Sequence, residues 1–244
     1  LAPTGTAVFP AGDEFSALWA AMAGQRATLT FGAQPGADIL LAGSEWQGGQ
    51  WSVRAHTPVG PLALRLHIAG RHNVVNALAA AACALAAGAP MAAIEQGLAD
   101  FEPVKGRSRA LAVTLAGRTL TLVDDTYNAN PDSVRAAIDV LAELPGPRLL
   151  VLGDMGEVGD QGPQFHAEVG AYARERGIPV LLTLGEQARG MGGRHFDGID
   201  ALNAAVIEQL PQAASVLVKG SRFMKMERVV EAITAHAKKE TGEA

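Results

Sequence analysis

Residues 148–159 read RLLVLGDMGEVG. An unbroken apolar run, Leu149–Leu152, stops abruptly at Gly153 and Asp154. A strand that is apolar on both faces is covered on both faces, and such strands belong to parallel sheets flanked by helices. The segments around it repeat the pattern. ALAVTL (110–115), TLTLVDD (119–125), PVLLTLG (179–185) and ASVLVKG (214–220) read as further strands. Residues 131–144, 163–176, 199–210 and 224–237 read as the helices between and after them. Strands alternating with amphipathic helices make βαβ units. Ligands in such sheets lie beyond the carboxyl ends of the strands. That rule selects three polar clusters, at 124–130, 153–159 and 219–222.

The first hundred residues have a different texture. Residues 1–12 read as a loop or a strand entry, and Asp13 as the cap of a helix through FSALWAAMA, with Phe15, Leu18, Trp19 and Met22 on one face. ATLTF (27–31) and ADILLAG (37–43) read as strands. WSVRAH (51–56) and LALRLHI (62–68) alternate apolar and polar residues, as half-exposed antiparallel strands do. Gly48 and Gly49 suggest a hairpin turn. An Ala-rich helix runs from about Asn73 to Ala87, with Gly88 as its terminator, and Pro90 opens a second, shorter one. The polar stretch EPVKGRSR (102–109) is the candidate boundary between the halves.

Composition narrows the class. At 48% hydrophobic and 18% charged, the 244 residues cannot be a disordered tail. A net charge of −5 argues against a bulk electrostatic grip on nucleic acid. One cysteine, Cys83, excludes a disulfide framework and points to a reducing, cytoplasmic home. No apolar run reaches the ~18 residues of a membrane span. The opening residues lack the basic and apolar regions of a signal peptide. The start at Leu1 rather than Met reads as the cut end of a longer chain.

Four constellations carry candidate chemistry. VDDTYNANPDS (123–133) packs Asp124, Asp125, Tyr127 and Asn130 into one strand-to-helix turn. Capping explains Asn130, and Pro131 suits a first helical turn, but neither explains the aspartates or the phenol. A carboxylate at a strand end is suited to ribose hydroxyls. LGDMGEVG (152–159) offers Asp154 among glycines, and a plain solvated turn is its alternative. Lys219, Ser221 and Arg222 stand where a strand meets a helix N-terminus, which favours an anion. Met224, Met226, Val229 and Val230 then read as core. GRHNVVNALAA (70–80) opens a helix with His72, Asn73 and Asn76. An amide can read both a donor and an acceptor on an adenine edge, although capping by Asn73 is the simpler account. His56, His67, His166 and His195 are scattered and read as surface or packing residues, without the spacing of a metal site. The sequence holds no GxxxxGK[ST], no GxGxxG after a strand and no GxSxG.

Taken together, GRHNVVNALAAAACALAAGAP (70–90), PVKGR (103–107), VDDTYNANPDS, VLGDMGEVG (151–159), HAEVG (166–170) and VLVKGSRFMKMERVV (216–230) resemble the Mur ligases. The wording of VDDTYNANPDS and VLVKGSR is most similar to the members that add D-alanyl-D-alanine. The resemblance implies an α/β fold in two parts. Residues 1–106 would be the C-terminal part of the central ATP-binding domain, with mixed strands and helices, and 107–244 a Rossmann-like C-terminal domain with a parallel sheet. It implies a cytoplasmic, monomeric ligase of peptidoglycan precursor synthesis. ATP would convert the carboxylate of a UDP-N-acetylmuramoyl-tripeptide into an acyl phosphate, and the amine of D-alanyl-D-alanine would displace phosphate. The P-loop and the Mg2+ ligands would lie upstream, so this segment alone would be inactive.

Residue by residue, the resemblance implies that Asn76 contacts adenine, with His72 and Asn73 shaping its pocket. Arg107 would reach the nucleotide phosphates or ribose as domains close, although Arg109 lies only two residues on. Asp125 would bind ribose, with Tyr127 and Asn130 completing the nucleotide side or facing the dipeptide. Lys219 and Ser221 would face the dipeptide, Arg222 its carboxylate and Asp154 its ammonium. Folylpolyglutamate- or cyanophycin-synthetase-like ligases are an alternative, against which the DDTYNANPDS wording argues. A non-catalytic acceptor-binding module is another.

Overall fold

The structure is a computed structural model that describes residues 1–47 and 49–241. It divides into two compact units, Leu1–Glu102 and Pro103–Ala244.

The first unit is a five-stranded sheet in the order β1 (Ala7–Pro10), β2 (Thr28–Gly32), β3 (Ile39–Gln47), β4 (Gln50–Thr57), β5 (Gly60–Leu66). The first three strands are mutually parallel, and β3, β4 and β5 form an antiparallel meander. The alternation in the sequence does its expected work. Trp51, Val53 and Ala55 of β4 and Leu62, Leu64 and Leu66 of β5 are buried, while the residues between them face solvent. Helix α2 (Arg71–Ala86) covers that inner face with Val74, Ala77, Leu78, Ala81 and Ala82. Its small side chains let it approach closely. Pro90 caps α3 (Met91–Ala99), whose Glu95 accepts a hydrogen bond from the Ala63 amide of β5 at 2.9 Å. The β3–β4 turn passes through Gly49 at φ +82°, and Gly48 lies outside the described residues.

Two expectations in this unit need correction. Helix α1 (Ser16–Ala23) starts after Asp13, not at it, and Phe15 occupies the cap position. Asp13 Oδ1 accepts from the Phe15 amide, a local turn that holds helix entry back. The expected apolar face is not buried, since Phe15, Leu18 and Met22 are exposed. Likewise α2 begins at Arg71 behind Gly70, so Asn73 is no cap. Its amide donates to the Ala69 carbonyl at 2.7 Å instead. An apolar cavity of about 700 Å³, lined among others by Phe9, Trp19, Met22 and Cys83, sits beside β1 and contains none of the candidate site residues.

The second unit contains β6 (Arg109–Leu115), β7 (Arg118–Asp125), α4 (Pro131–Glu143), β8 (Arg148–Gly153), α5 (Gly162–Glu175), β9 (Val180–Leu184), β10 (Arg194–Phe196), α6 (Ile199–Gln209), β11 (Ser215–Lys219) and α7 (Glu227–Thr241). Its sheet runs β10-β9-β8-β11-β7-β6, parallel throughout except for the β6–β7 hairpin. The last strand in sequence therefore enters the middle of the sheet, between β7 and β8. Leu150, Val151, Val216, Leu217 and Val218 are fully buried there. The final helix starts later than the Met224 expected. Residues Arg222–Met224 form a short 3-10 turn and Lys225 adopts φ +51°, which breaks helical continuity before Glu227. Met226, Val229 and Val230 are core, as their spacing suggests. The three-residue β10 is too short to show a pattern in sequence.

The central position of β8 sets a stability test. Leu150→Ala removes a fully buried side chain between two strands and should cost about 2–5 kcal/mol, read as a lowered midpoint in urea unfolding.

Candidate functional site

The strand order brings the three polar clusters side by side. Strands β7, β11 and β8 are neighbours, and Lys219 stands in register with Asp125 on one side and Leu152 on the other. The loops that leave their carboxyl ends are tied together by backbone bonds. The Gly156 amide donates to Ala129 at 2.8 Å, and the Ser221 amide to Asp154 at 2.9 Å. A Cβ at Gly156 would come into ordinary van der Waals contact with Ser221 and Phe223, so the loops from β8 and β11 pack against each other here.

Lys219 is the hub. Its side chain is only 4% exposed, and Nζ donates to Asp125 Oδ2 at 2.6 Å and to the Asn128 carbonyl at 2.9 Å. Two of its three donors are thus committed within the chain. Asp125 Oδ1 accepts from the Ser108 amide at 2.9 Å and the Ser108 hydroxyl at 3.3 Å. A carboxylate offers about four acceptor positions, so one further donor can be accommodated. Ser221 Oγ is buried with no hydrogen-bond partner in the structure.

Above this interior lies an exposed rim. The Tyr127 ring is 42% exposed. The Arg107 guanidinium lies over it at 4.1 Å from the centroid, and that of Arg222 at 5.7 Å. Arg222 also lies 3.7 Å from Glu227. Arg109 takes a different place, on β6 opposite Asp124.

Asp154 and Asn130 have local work that the sequence shows only in part. Asp154 is buried, and its Oδ1 accepts from the Ala188 amide at 2.7 Å, tying the β8 loop to the loop after β9. Asn130 caps α4 in a reciprocal box with Ser133. His166 is fully buried rather than incidental. Its Nε2 accepts from the Met155 amide at 2.9 Å, and Nδ1–H donates to the Gly162 carbonyl at 2.7 Å. That pairing fixes one neutral tautomer and holds the glycine-rich loop in place. Asp124, already named in its turn, also belongs to the network, together with Ser108 and Thr126, which no spacing rule singles out. In the first unit, Asn76 donates to Asn73 at 3.1 Å, so the two amides do share one face of α2, with His72 beside them in the first turn. Among the described residues, no group of three or more His, Cys, Asp or Glu side chains is placed to hold a metal ion. No helix among them is long and apolar enough to cross a membrane.

Comparison with known proteins gives this arrangement its class. Residues 106–238 match the family described as Mur ligase, glutamate ligase domain, and residues 1–84 match the Mur ligase middle domain. The chain belongs to the Mur ligase family. Among its relatives is the UDP-N-acetylmuramoyl-tripeptide–D-alanyl-D-alanine ligase of Escherichia coli, 43% identical over 186 residues, 72% of this chain and 40% of that protein. The enzyme of the same name from Haemophilus influenzae is 40% identical over 71% of this chain and 40% of its own length. A crystal structure of MurF from Acinetobacter baumannii aligns with TM-score 0.80 at 34% identity, over 96% of this chain and 52% of that one. MurF from Thermotoga maritima, solved in complex with ADP, shares the fold with TM-score 0.79 at 22% identity, over 97% of this chain and 55% of that one. The chain spans about 40% of the length of these curated relatives.

The buried pair sets the second test. Lys219→Met or Asp125→Asn alone leaves an unmatched partner and should destabilise by about 3 kcal/mol or more. The double variant should cost clearly less than the sum of the two, measured as a double-mutant cycle in urea.

Proposed function

We propose that this chain is the acceptor-side portion of an ATP-dependent ligase that adds D-alanyl-D-alanine to a UDP-N-acetylmuramoyl-tripeptide in cytoplasmic peptidoglycan precursor synthesis, acting as a monomer. Residues 1–106 serve as the C-terminal part of the nucleotide-binding central domain and 107–244 as the acceptor domain. The observation that carries the reading is the convergence of VDDTYNANPDS, LGDMGEVG and VKGSR around the Lys219–Asp125 pair, beneath a rim carrying two arginines. Relatives named for this reaction support it.

In the ligation, the tripeptide carboxylate takes the γ-phosphoryl group of ATP, and the dipeptide amine then displaces phosphate from the acyl carbon. Negative charge accumulates on transferring oxygens in both steps, so cations fixed in advance stabilise it. Arg107 is the group for the nucleotide phosphates. Its stacking on Tyr127 supports it over Arg109. Asp125 keeps an acceptor position for a ribose hydroxyl, and Tyr127 lines the same side. Asn76, with His72 and Asn73, serves the adenine. The buried, unpartnered Ser221 hydroxyl and the third donor of Lys219 serve the dipeptide backbone, and Arg222 its carboxylate. Asn130 shapes the turn between the two ligands. Asp154 holds the acceptor loops and answers the dipeptide ammonium. Mg2+ belongs with ligands outside these residues.

Calorimetric titration of the 244-residue chain with D-alanyl-D-alanine should show binding that L-alanyl-L-alanine does not reproduce. If neither dipeptide binds, the titration is repeated on the full-length, nucleotide-loaded ligase. Equal binding of both isomers, or none in that loaded enzyme, overturns the assignment. The chain alone should hydrolyse no ATP, since it carries no GxxxxGK[ST] loop, and phosphate release above a blank would contradict this.

A further inference from the structure

Asp124 touches neither the rim nor solvent, being 1% exposed, yet it joins two separate stretches of chain. Its Oδ1 accepts from the Thr126 hydroxyl at 2.6 Å and the Thr126 amide at 3.3 Å, both on the loop after β7. Its Oδ2 accepts from the Gly106 amide at 3.1 Å, on the turn before β6. The stitch is completed backbone to backbone, because the Tyr127 amide donates to the Gly106 carbonyl at 2.9 Å. Gly106 is required there on two counts. Its φ is +82°, and a Cβ would lie 2.9 Å from the Tyr127 nitrogen.

Arg107 sits between two pinned residues. Gly106 is held by Asp124, and Ser108, at φ +48°, is held by Asp125. The Arg107 amide itself donates to Val104 at 3.0 Å. The backbone that carries the guanidinium is thus fixed before and after it, and Tyr127, the ring it lies over, follows directly from Thr126, which Asp124 also holds. Asp124 thus holds both the residue before the arginine and the residue before the ring on which it rests.

We propose that Asp124 is a positioning residue for Arg107. It orients the guanidinium and its Tyr127 platform without contacting substrate. The proposal rests on the reading of Arg107 as the group that acts on nucleotide phosphates. A long arginine on a loose turn would sample many placements, and a misplacement of about 1 Å can cost 10²-fold in rate.

The test is made in the full-length ligase with Asp124→Asn, whose amide NH2 must face either the Gly106 N–H or the Thr126 donors. Hydrogen exchange at the Gly106 and Tyr127 amides should rise about tenfold or more while the amides of β8 are unchanged. kcat should fall about 10–100-fold with little change in the KM for the dipeptide. On an Arg107→Ala background, Asp124→Asn should cost no further kcat while still raising exchange. Unchanged exchange overturns the clamp. An equal loss of kcat with and without Arg107 overturns its action through that residue. Raised exchange with normal kcat in both Asp124→Asn and Arg107→Ala leaves the clamp standing and removes the role given to Arg107, and with it the proposal. If Asp124→Asn does not fold, Thr126→Val removes the 2.6 Å bond from the other side; exchange at the Tyr127 amide and kcat are then the readings, and no change in either overturns the proposal.

Discussion

The contact between Lys219 and Asp125 organises the second unit's functional end. It joins residues 94 apart in sequence across adjacent strands. A lone ammonium at that depth would carry a large desolvation cost, and so would a lone carboxylate. Paired at 2.6 Å, and each given further hydrogen bonds, they make a nearly neutral knot. The knot holds together the end of β11, the loop after β7 and the turn before β6. The loops above it inherit their positions. The Asn128 carbonyl is drawn to Lys219, its neighbour Ala129 receives the Gly156 amide, and Asp154 in turn receives the Ser221 amide.

Much of this unit is legible before any coordinates. Leu149–Leu152 and Val216–Val218 are unbroken apolar runs because both faces are covered, and both are fully buried strands. The rule that ligands lie beyond strand carboxyl ends picks out three loops that the strand order then places side by side. What the chain does not display is that β11 inserts between β7 and β8, because strand order is a long-range choice with no local signature. Without that order, Lys219 and Asp125 read as two separate charged residues at two strand ends. The misplaced helix starts have local causes instead. Asp13 folds its side chain onto the Phe15 amide, and Lys225 turns left-handed before α7, where in each case the apolar spacing already looks helical.

His166 and Asp124 have partners that are hidden in the sequence for a related reason. Each is a polar side chain whose work is done on backbone amides, of Met155 for the one and of Gly106 and Thr126 for the other. Backbone amides are present at every position, so no residue type in the sequence marks the partner. The flanking glycines are the nearest thing to a signal. Gly106 permits a backbone that a side chain would obstruct. A buried polar residue near such a glycine is the pattern that reveals this kind of scaffold.

The site therefore separates two electrostatic tasks by depth. Charge inside is matched, because low dielectric makes any unmatched charge expensive. Charge at the rim is less closely matched. Arg107 and Arg222 approach one exposed phenol ring whose quadrupole attracts a cation but does not neutralise it, and among the described residues only Arg222 has a carboxylate within 4 Å, at 3.7 Å. Each cation–π contact at such exposure contributes only about 0.5–1 kcal/mol. The repulsion between two guanidiniums is tolerable in water and becomes attraction for anything anionic placed between them. A buried, matched base thus underlies a solvated, cationic rim, and the loops are held from below while the rim side chains stay exposed.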